Sequence, residues 1–142
     1  MKRMKKMRKE AKVSIFSKDW EKRADIVDGF LKDPDNYLRS IGLYERLEEG
    51  ETLPATEIKQ LLCENIEKYF RGEVTQKFII GLAWRLHELC YVDIEGSEVA
   101  QILGVTCPIQ DLEVEVMRKG EIKKTPEEID QLIRRLFEKH LK

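Results

Sequence analysis

Residues 75–91, TQKFIIGLAWRLHELCY, carry the strongest fold signal of this 142-residue chain. From Phe78 to Leu86 nearly every side chain is apolar, and a helix that is apolar on most of its faces lies at the centre of a helical domain. Thr75 stands just before this run and is a favourable N-cap. The stretch therefore predicts a central helix.

A second helix is predicted over residues 56–71, where Ile58, Leu62 and Ile66 recur at four-residue spacing. The turn at 72–74 is so short that the helices 56–71 and 75–91 are expected to pack as an antiparallel hairpin. A carboxy-terminal helix is predicted over 126–141, because Thr125 and Glu128 form a capping box with Pro126 at the first helical position. This helix is expected to pack across the hairpin.

The amino-terminal third of the chain predicts two helices separated at a proline. Ser17 is the expected N-cap of a helix over 18–32, and Asp33 with Pro34 ends it and begins the next one. Gly50 is expected to close the second helix in the left-handed conformation.

Residues 97–123 carry a more ambiguous pattern. Ser97 predicts the cap of a short helix that Gly104 stops. The alternation LEVEV at 112–116 fits a strand, whereas a helix beginning at Pro108 fits the same apolar residues. We favour the helix, because a strand here has a mate only at 121–123, but one short β-hairpin around 112–123 remains an alternative.

Together these patterns predict an all-α protein, a compact bundle of about six to seven helices. With 42% hydrophobic and 37% charged residues, the chain combines enough apolar side chains for a core with a heavily charged surface. We expect a single helical domain over 13–142.

Residues 1–12, MKRMKKMRKEAK, are expected to form a flexible basic arm of net charge +6, against −7 for the rest of the chain. Such an arm can bind nucleic acid phosphate, an anionic membrane, an acidic partner or the acidic body of its own chain, because each attraction is electrostatic. The residues expected to contact nucleic acid or an acidic partner are Lys2, Arg3, Lys5, Lys6, Arg8, Lys9 and Lys12.

The sequence shows no catalytic motif, so the chain is not expected to be an enzyme and no cofactor or metal is expected. His87 and Cys90 lie three residues apart on one predicted helix, which supplies two metal ligands at most. Packing of the cysteine and partial burial of the histidine are the preferred interpretation. Three cysteines without paired spacing indicate free thiols and a cytoplasmic protein, and no apolar run is long enough for a membrane span.

Residues 97–106, SEVAQILGVT, resemble the first helix and turn of helix-turn-helix DNA-binding proteins, and KGEI at 119–122 resembles the segment after the recognition helix in excisionase-type domains. The resemblance implies that Ala100 permits a close helix crossing, that Leu103 packs in the core and that Gly104 forms the turn. The would-be recognition helix departs from the pattern, because Asp111, Glu113 and Glu115 would repel phosphate.

The preferred functional hypothesis is a non-catalytic cytoplasmic protein that binds another protein or itself, as a subunit, adaptor or regulator. The alternative is a nucleic acid-binding regulator that uses the basic arm and the segment 97–122. Aromatic residues are expected in the core, at its edge or facing a partner. They are Trp20, Tyr37, Tyr44, Tyr69, Trp84 and Tyr91.

Overall fold

The computed structural model describes the backbone of residues 2–142 and the side chains of residues 19–142. Over this range the chain forms six α-helices, a π-helical turn and two very short strands, which confirms the mainly α prediction. In chain order the elements are α1 (Lys2–Ser40), α2 (Leu43–Glu48), β1 (Leu53–Pro54), α3 (Ala55–Phe70), α4 (Gln76–Leu89), β2 (Ile94–Glu95), α5 (Val99–Lys119), α6 (Pro126–Leu136) and the π-helical turn (Phe137–Leu141).

Helix α4 is the central element, as its composition predicts. Ile79, Leu82, Ala83 and Leu86 are completely buried, because α1 and α5 pack against α4. Helix α3 also contacts α4, but the contact is smaller than the contacts of α4 with α1 and α5. The main contact of α4 is therefore with α1, and not with its predicted hairpin partner 56–71. The carboxy-terminal segment packs on α5 and α3 through the π-helical turn after α6.

Pro34 lies inside α1, so the predicted break between helices at Asp33 and Pro34 is wrong. Proline has no N–H for the carbonyl of Phe30, four residues earlier, and normally destabilises a helix interior. Here the carbonyl of Phe30 packs directly against Gly81 of α4, and Pro34 is itself buried. Packing against α4 thus compensates for the missing hydrogen bond, and the helix continues.

The chain turns only after Ser40, at Gly42, whose φ of 79° is the left-handed conformation that glycine adopts without strain. The residues of the predicted second helix are therefore divided between α1 and the short α2. Gly50, with φ of 82°, follows α2 as predicted.

Helix α5 is continuous through Gly104 and Pro108, which overturns the predictions for Ser97 and Gly104 and confirms the favoured helix at 112–116, although this helix begins at Val99 and not at Pro108. Ser97 does not cap the helix, since Glu98 occupies the N-cap position without a side-chain bond. Gly104 does not stop the helix, and no β-hairpin forms at 112–123, where the helix extends to Lys119. The role of Gly104 is close packing: a Cβ there would lie 2.6 Å from Nδ1 of His140 on the π-helical turn.

The predicted N-caps of α4 and α6 are both present. The hydroxyl of Thr75 accepts a hydrogen bond from the Phe78 amide at 3.1 Å. At α6, Thr125 and Glu128 exchange the two reciprocal bonds of a capping box, with Pro126 at the start of the helix. These local signals are confirmed because each depends on residues within one turn.

Strands β1 and β2 form a parallel pair that the sequence did not predict. Leu53 aligns with Ile94, and the Leu53 amide donates to the carbonyl of Asp93 at 2.8 Å. Two residues per strand are too short for a periodic signal. The pair ties the segment before α3 to the segment after α4.

Candidate functional site

The seven arm cations predicted to contact nucleic acid or an acidic partner lie in the amino-terminal part of α1. Their backbone continues the helix of the body, which begins at Lys2. Their side chains, and Met1 altogether, lie outside the described residues, so the contacts predicted for the arm stay predictions. Within α1, side chains are described from Asp19 onward.

Trp20 is 60% exposed, so it is not a core residue. Its helical position nevertheless continues the body-facing row of α1, because Val27, Leu31, Pro34 and Leu38 follow it at steps of seven, four, three and four residues. Val27 and Leu31 pack against the core, and Leu38 is completely buried. Trp20 is thus an apolar side chain on the inner row of α1, one turn beyond the point where the body covers that row.

Arg23 marks that point. Its Nη1 donates to the carbonyl oxygens of Met117 and Arg118, at 2.9 Å in both cases. These are among the last carbonyls of α5, which lack partners within the helix and attract a cation. Arg23 therefore fixes α1 to the carboxy-terminal end of α5, and Trp20 projects beyond this attachment.

The aromatic residues divide between core and surface. Trp84 is buried and its indole N–H donates to the carbonyl of Ile109 at 2.7 Å, while Tyr37, Tyr44 and Tyr69 are partly buried. Tyr91 is 68% exposed and resembles Trp20 in this respect. Two of the six aromatic residues therefore face solvent.

The structure brings His87 together with Cys107 of α5 in addition to its neighbours on α4. Nδ1 of His87 lies 3.3 Å from Oγ1 of Thr106 and 3.8 Å from Sγ of Cys107, and Nε2 lies 3.4 Å from the hydroxyl of Tyr91. Cys90, which lies three residues after His87, is buried in the core, in agreement with the preferred interpretation of the sequence. Spacing along the chain could not reveal Cys107, because it is twenty residues away on another helix.

The surroundings of Cys107 and Cys90 disfavour the thiolate form of both side chains. Partial desolvation and then the nearby Asp111 carboxylate raise the pKa of the Cys107 thiol, and burial followed by the charge of Cys107 raises the pKa of Cys90 to about 11. A nucleophilic cysteine requires the opposite shift, since the thiolate is the reactive form. His87 and Cys107 are therefore the residue types of a catalytic dyad, but their surroundings do not stabilise the thiolate that such a dyad needs.

We expect Cys107 to be the first thiol to react with an aromatic disulfide reagent in the native protein. It is exposed, whereas Cys63 is partly buried and Cys90 is buried. Because its pKa is raised, the reaction rate should still increase above about pH 9. Cys107→Ser should remove the fast reaction, and His87→Ala should change its rate by less than about twofold. A rate that levels off below about pH 8 would contradict this expectation.

Within one chain, metal binding has no support in residues 19–142, where no three His, Cys, Asp or Glu side chains lie in positions to hold an ion. His87 and Cys107 supply two ligands, and a zinc site needs three or four protein ligands.

A second polar cluster joins α1, α2 and α4. Nε and Nη2 of Arg85 donate to the two oxygens of Asp35, each at 2.8 Å, and the Tyr44 hydroxyl donates to Asp35 at 2.5 Å. Burial by itself would raise the pKa of Asp35, but the hydrogen bonds from Arg85 and Tyr44 outweigh it and lower that pKa. Burial and the bond to Asp35 raise the pKa of Tyr44.

This cluster lines an open cavity of about 460 Å³, a volume within the range of small-molecule sites. Its polar groups are already engaged with one another: Arg85 also donates to Glu88 at 2.8 Å, and the Arg39 guanidinium lies 5.6 Å from the Tyr44 ring centre. The cluster therefore acts as a clasp between helices, and we call the three residues Asp35, Tyr44 and Arg85 the clasp.

The helix-turn-helix interpretation of residues 97–122 is wrong, because α5 runs from Val99 to Lys119 without the turn that this motif requires at Gly104. Ala100 is exposed and does not lie at a helix crossing, and Leu103 is only partly buried.

Among the helices described here, none combines the length and the apolar content that crossing a membrane requires. Comparison with protein-family models, with curated proteins and with solved structures gave no match to this chain.

Proposed function

We propose that this protein is a non-catalytic binding protein, a subunit, adaptor or regulator, whose partner covers Trp20 and the adjacent part of α1. The observation that carries the proposal is the 60% exposure of Trp20 on the row of α1 that otherwise faces the core. Tryptophan is among the side chains that contribute most to protein interfaces, because its large surface is lost from water on binding.

The chemistry of the other candidates supports binding over catalysis. The raised pKa of Cys107 keeps this thiol protonated near neutral pH, and the clasp residues satisfy one another. The three free cysteines support a reducing compartment such as the cytoplasm.

Photo-crosslinking in living cells tests this proposal. Trp20→p-benzoyl-phenylalanine should form a covalent adduct with one defined protein. Lys22→p-benzoyl-phenylalanine is the matched control, because Lys22 is also exposed but lies about 200° around the helix from Trp20. An adduct at position 20 and none at position 22 supports the proposal, and equal yields at both positions, or none, contradict it.

A second candidate function is nucleic acid binding through the arm. It is favoured by the density of cations in residues 1–12, together with the helical backbone that carries them. Binding of this kind should weaken steeply as salt increases, with a slope of log affinity against log salt of about −0.9 for each phosphate contacted on duplex DNA. Titration of duplex DNA at several salt concentrations tests it, and absent or salt-insensitive binding would exclude it.

A further inference from the structure

We propose that two copies of this chain bind one Zn²⁺ between them, and that His87 and Cys107 of each copy are the four ligands. The proposal goes beyond the proposed function, because it assigns a metal to a surface other than that of Trp20. Cys107 lies ten residues before Met117 on α5, about 15 Å along the helix axis from the end where Arg23 attaches. Its test is therefore independent of the crosslink at position 20.

The distance between the two side chains is close to that between two ligands of one zinc ion. Sγ of Cys107 lies 3.8 Å from Nδ1 of His87. With a Zn–S bond of about 2.3 Å, a Zn–N bond of about 2.1 Å and a tetrahedral angle, the sulfur and the nitrogen lie about 3.6 Å apart. A zinc ion would therefore fit between these two atoms after a very small movement of the side chains.

The imidazole of His87 is oriented by its neighbour Tyr91. Nε2 lies 3.4 Å from the Tyr91 hydroxyl, and the two rings pack edge to face with their centres 5.2 Å apart. With zinc on Nδ1, Nε2 carries the proton and donates to this hydroxyl, and metal-bound histidines usually donate their other ring N–H to an oxygen acceptor in this way. Nδ1 also lies 3.3 Å from Oγ1 of Thr106, and zinc ligation replaces this contact.

One chain supplies only half of such a zinc site. Among residues 19–142, no third His, Cys, Asp or Glu lies in a position to complete it. Cys107 is exposed, so ligands from another molecule can reach an ion bound there. A second copy brings the same pair, and a two-fold axis through the ion then gives two sulfur and two nitrogen ligands, the tetrahedral set typical of zinc.

The surface beside this pair carries exposed side chains that a second copy would cover. Tyr91 is 68% exposed and Val92 is 81% exposed, and both lie just after the last residue of α4. The Tyr91 ring packs directly on His87, so a molecule that ligates the same ion also approaches this ring. Burial of the ring would add apolar contact area to the metal bonds.

The charges near the pair make the ion necessary for association. Partial desolvation and the nearby Asp111 carboxylate keep the Cys107 thiol protonated by raising its pKa. Two copies facing each other here bring two such carboxylates together, and without a cation these repel. When Zn²⁺ binds, each Cys107 thiol releases one proton to solvent, so the ion, two thiolates and two neutral imidazoles together carry no charge. We therefore expect this dimer only with the metal.

Metal titration of the full-length, metal-free protein tests the proposal. Zinc chloride should double the mass of the particle measured by sedimentation equilibrium, and the change should be complete at about half an equivalent of zinc per chain. Cobalt chloride, used as a spectroscopic substitute for zinc, should give the absorption of a tetrahedral cobalt–thiolate complex. This absorption should also saturate at about one ion for two chains.

Single substitutions assign the ligands. Cys107→Ser and His87→Ala should each abolish the metal-dependent doubling of mass and the cobalt–thiolate absorption. Cys63→Ser is the matched control, because it removes a partly buried thiol of α3 and leaves the proposed ligands in place, so it should dimerise with zinc as the unsubstituted chain does. Circular dichroism of the metal-free variants separates loss of a ligand from loss of the fold, and Cys107→Ser should stay folded because position 107 is exposed.

Three results would each overturn the proposal. They are a mass that zinc does not change, binding of one metal ion per chain without a dimer, and a zinc-dependent dimer that persists in Cys107→Ser.

Discussion

Gly81→Ala is expected to lower the free energy of unfolding by about 3 kcal/mol or more, an effect that urea denaturation followed by circular dichroism will measure. Alanine is the better helix former by about 1 kcal/mol, so helix propensity alone predicts the opposite sign. The contact with α1 decides the result. A Cβ at Gly81 would overlap the carbonyl oxygen of Phe30 and lie 2.9 Å from Cγ of Pro34.

Neither neighbour can move away easily, because the Phe30 atoms in contact belong to the backbone of α1 and Pro34 is a buried ring within the same helix. Gly29→Ala is the control: it also lies within a helix, where an added Cβ would meet only Nζ of Lys77 at 3.8 Å. This variant should gain up to about 1 kcal/mol of stability. If the two variants were equally stable, the proposed close contact between α1 and α4 would be wrong.

Helix boundaries were predictable where local capping decides them and unpredictable where tertiary packing decides them. Thr75, Gly50 and the capping box at Thr125 act within one turn of the chain, and the sequence identified them correctly. Pro34 and Gly104 carry equally strong local signals, yet each lies within a helix because a residue distant in sequence packs against it. Local propensity and tertiary packing compete at such positions, and a single sequence contains only the first.

The candidate sites were less predictable than the fold because their members are far apart in the chain. Asp35 and Arg85 are fifty residues apart, and no motif links them. The inner row of α1 follows helical spacing from Trp20 through Val27 to Leu31, but the spacing does not reveal where the body stops covering this row. Trp20 is exposed for that reason, and only the contact of Arg23 with α5 shows it.

Loss of the guanidinium from the clasp should be the second large effect. Arg85→Met is expected to lower the free energy of unfolding at neutral pH by about 2–3 kcal/mol. Asp35 and Arg85 are each only about a quarter exposed, at 24% and 23%, so the variant leaves a partly desolvated carboxylate that keeps the Tyr44 hydroxyl and the more distant Arg39 but loses its directly bonded cation. The added substitution Asp35→Asn should recover most of the loss, because it removes the unpaired charge.

The effect of Arg85→Met should also depend on pH in a defined direction. In the folded wild type the pKa of Asp35 is lowered below its usual range, so the carboxylate contributes stability above about pH 4, and this contribution is lost as pH falls through the folded pKa. In the variant the two contributions of Arg85 are lost, while the Tyr44 hydroxyl and Arg39 still lower the pKa of Asp35, so that pKa should rise relative to the folded wild type and protonation should relieve the unpaired charge as the pH falls. The stability difference between the two proteins should therefore narrow toward acid pH.

Urea denaturation between about pH 3.5 and pH 7 measures this difference, and the variant with both Arg85→Met and Asp35→Asn is the control, since it has no carboxylate to titrate at position 35. Against that control, the destabilisation of Arg85→Met alone should be largest near neutral pH and should shrink progressively as Asp35 takes up a proton. A destabilisation independent of pH would mean that Arg85 supports the structure through the packing of its aliphatic stem on α4, and that its charge on Asp35 contributes nothing.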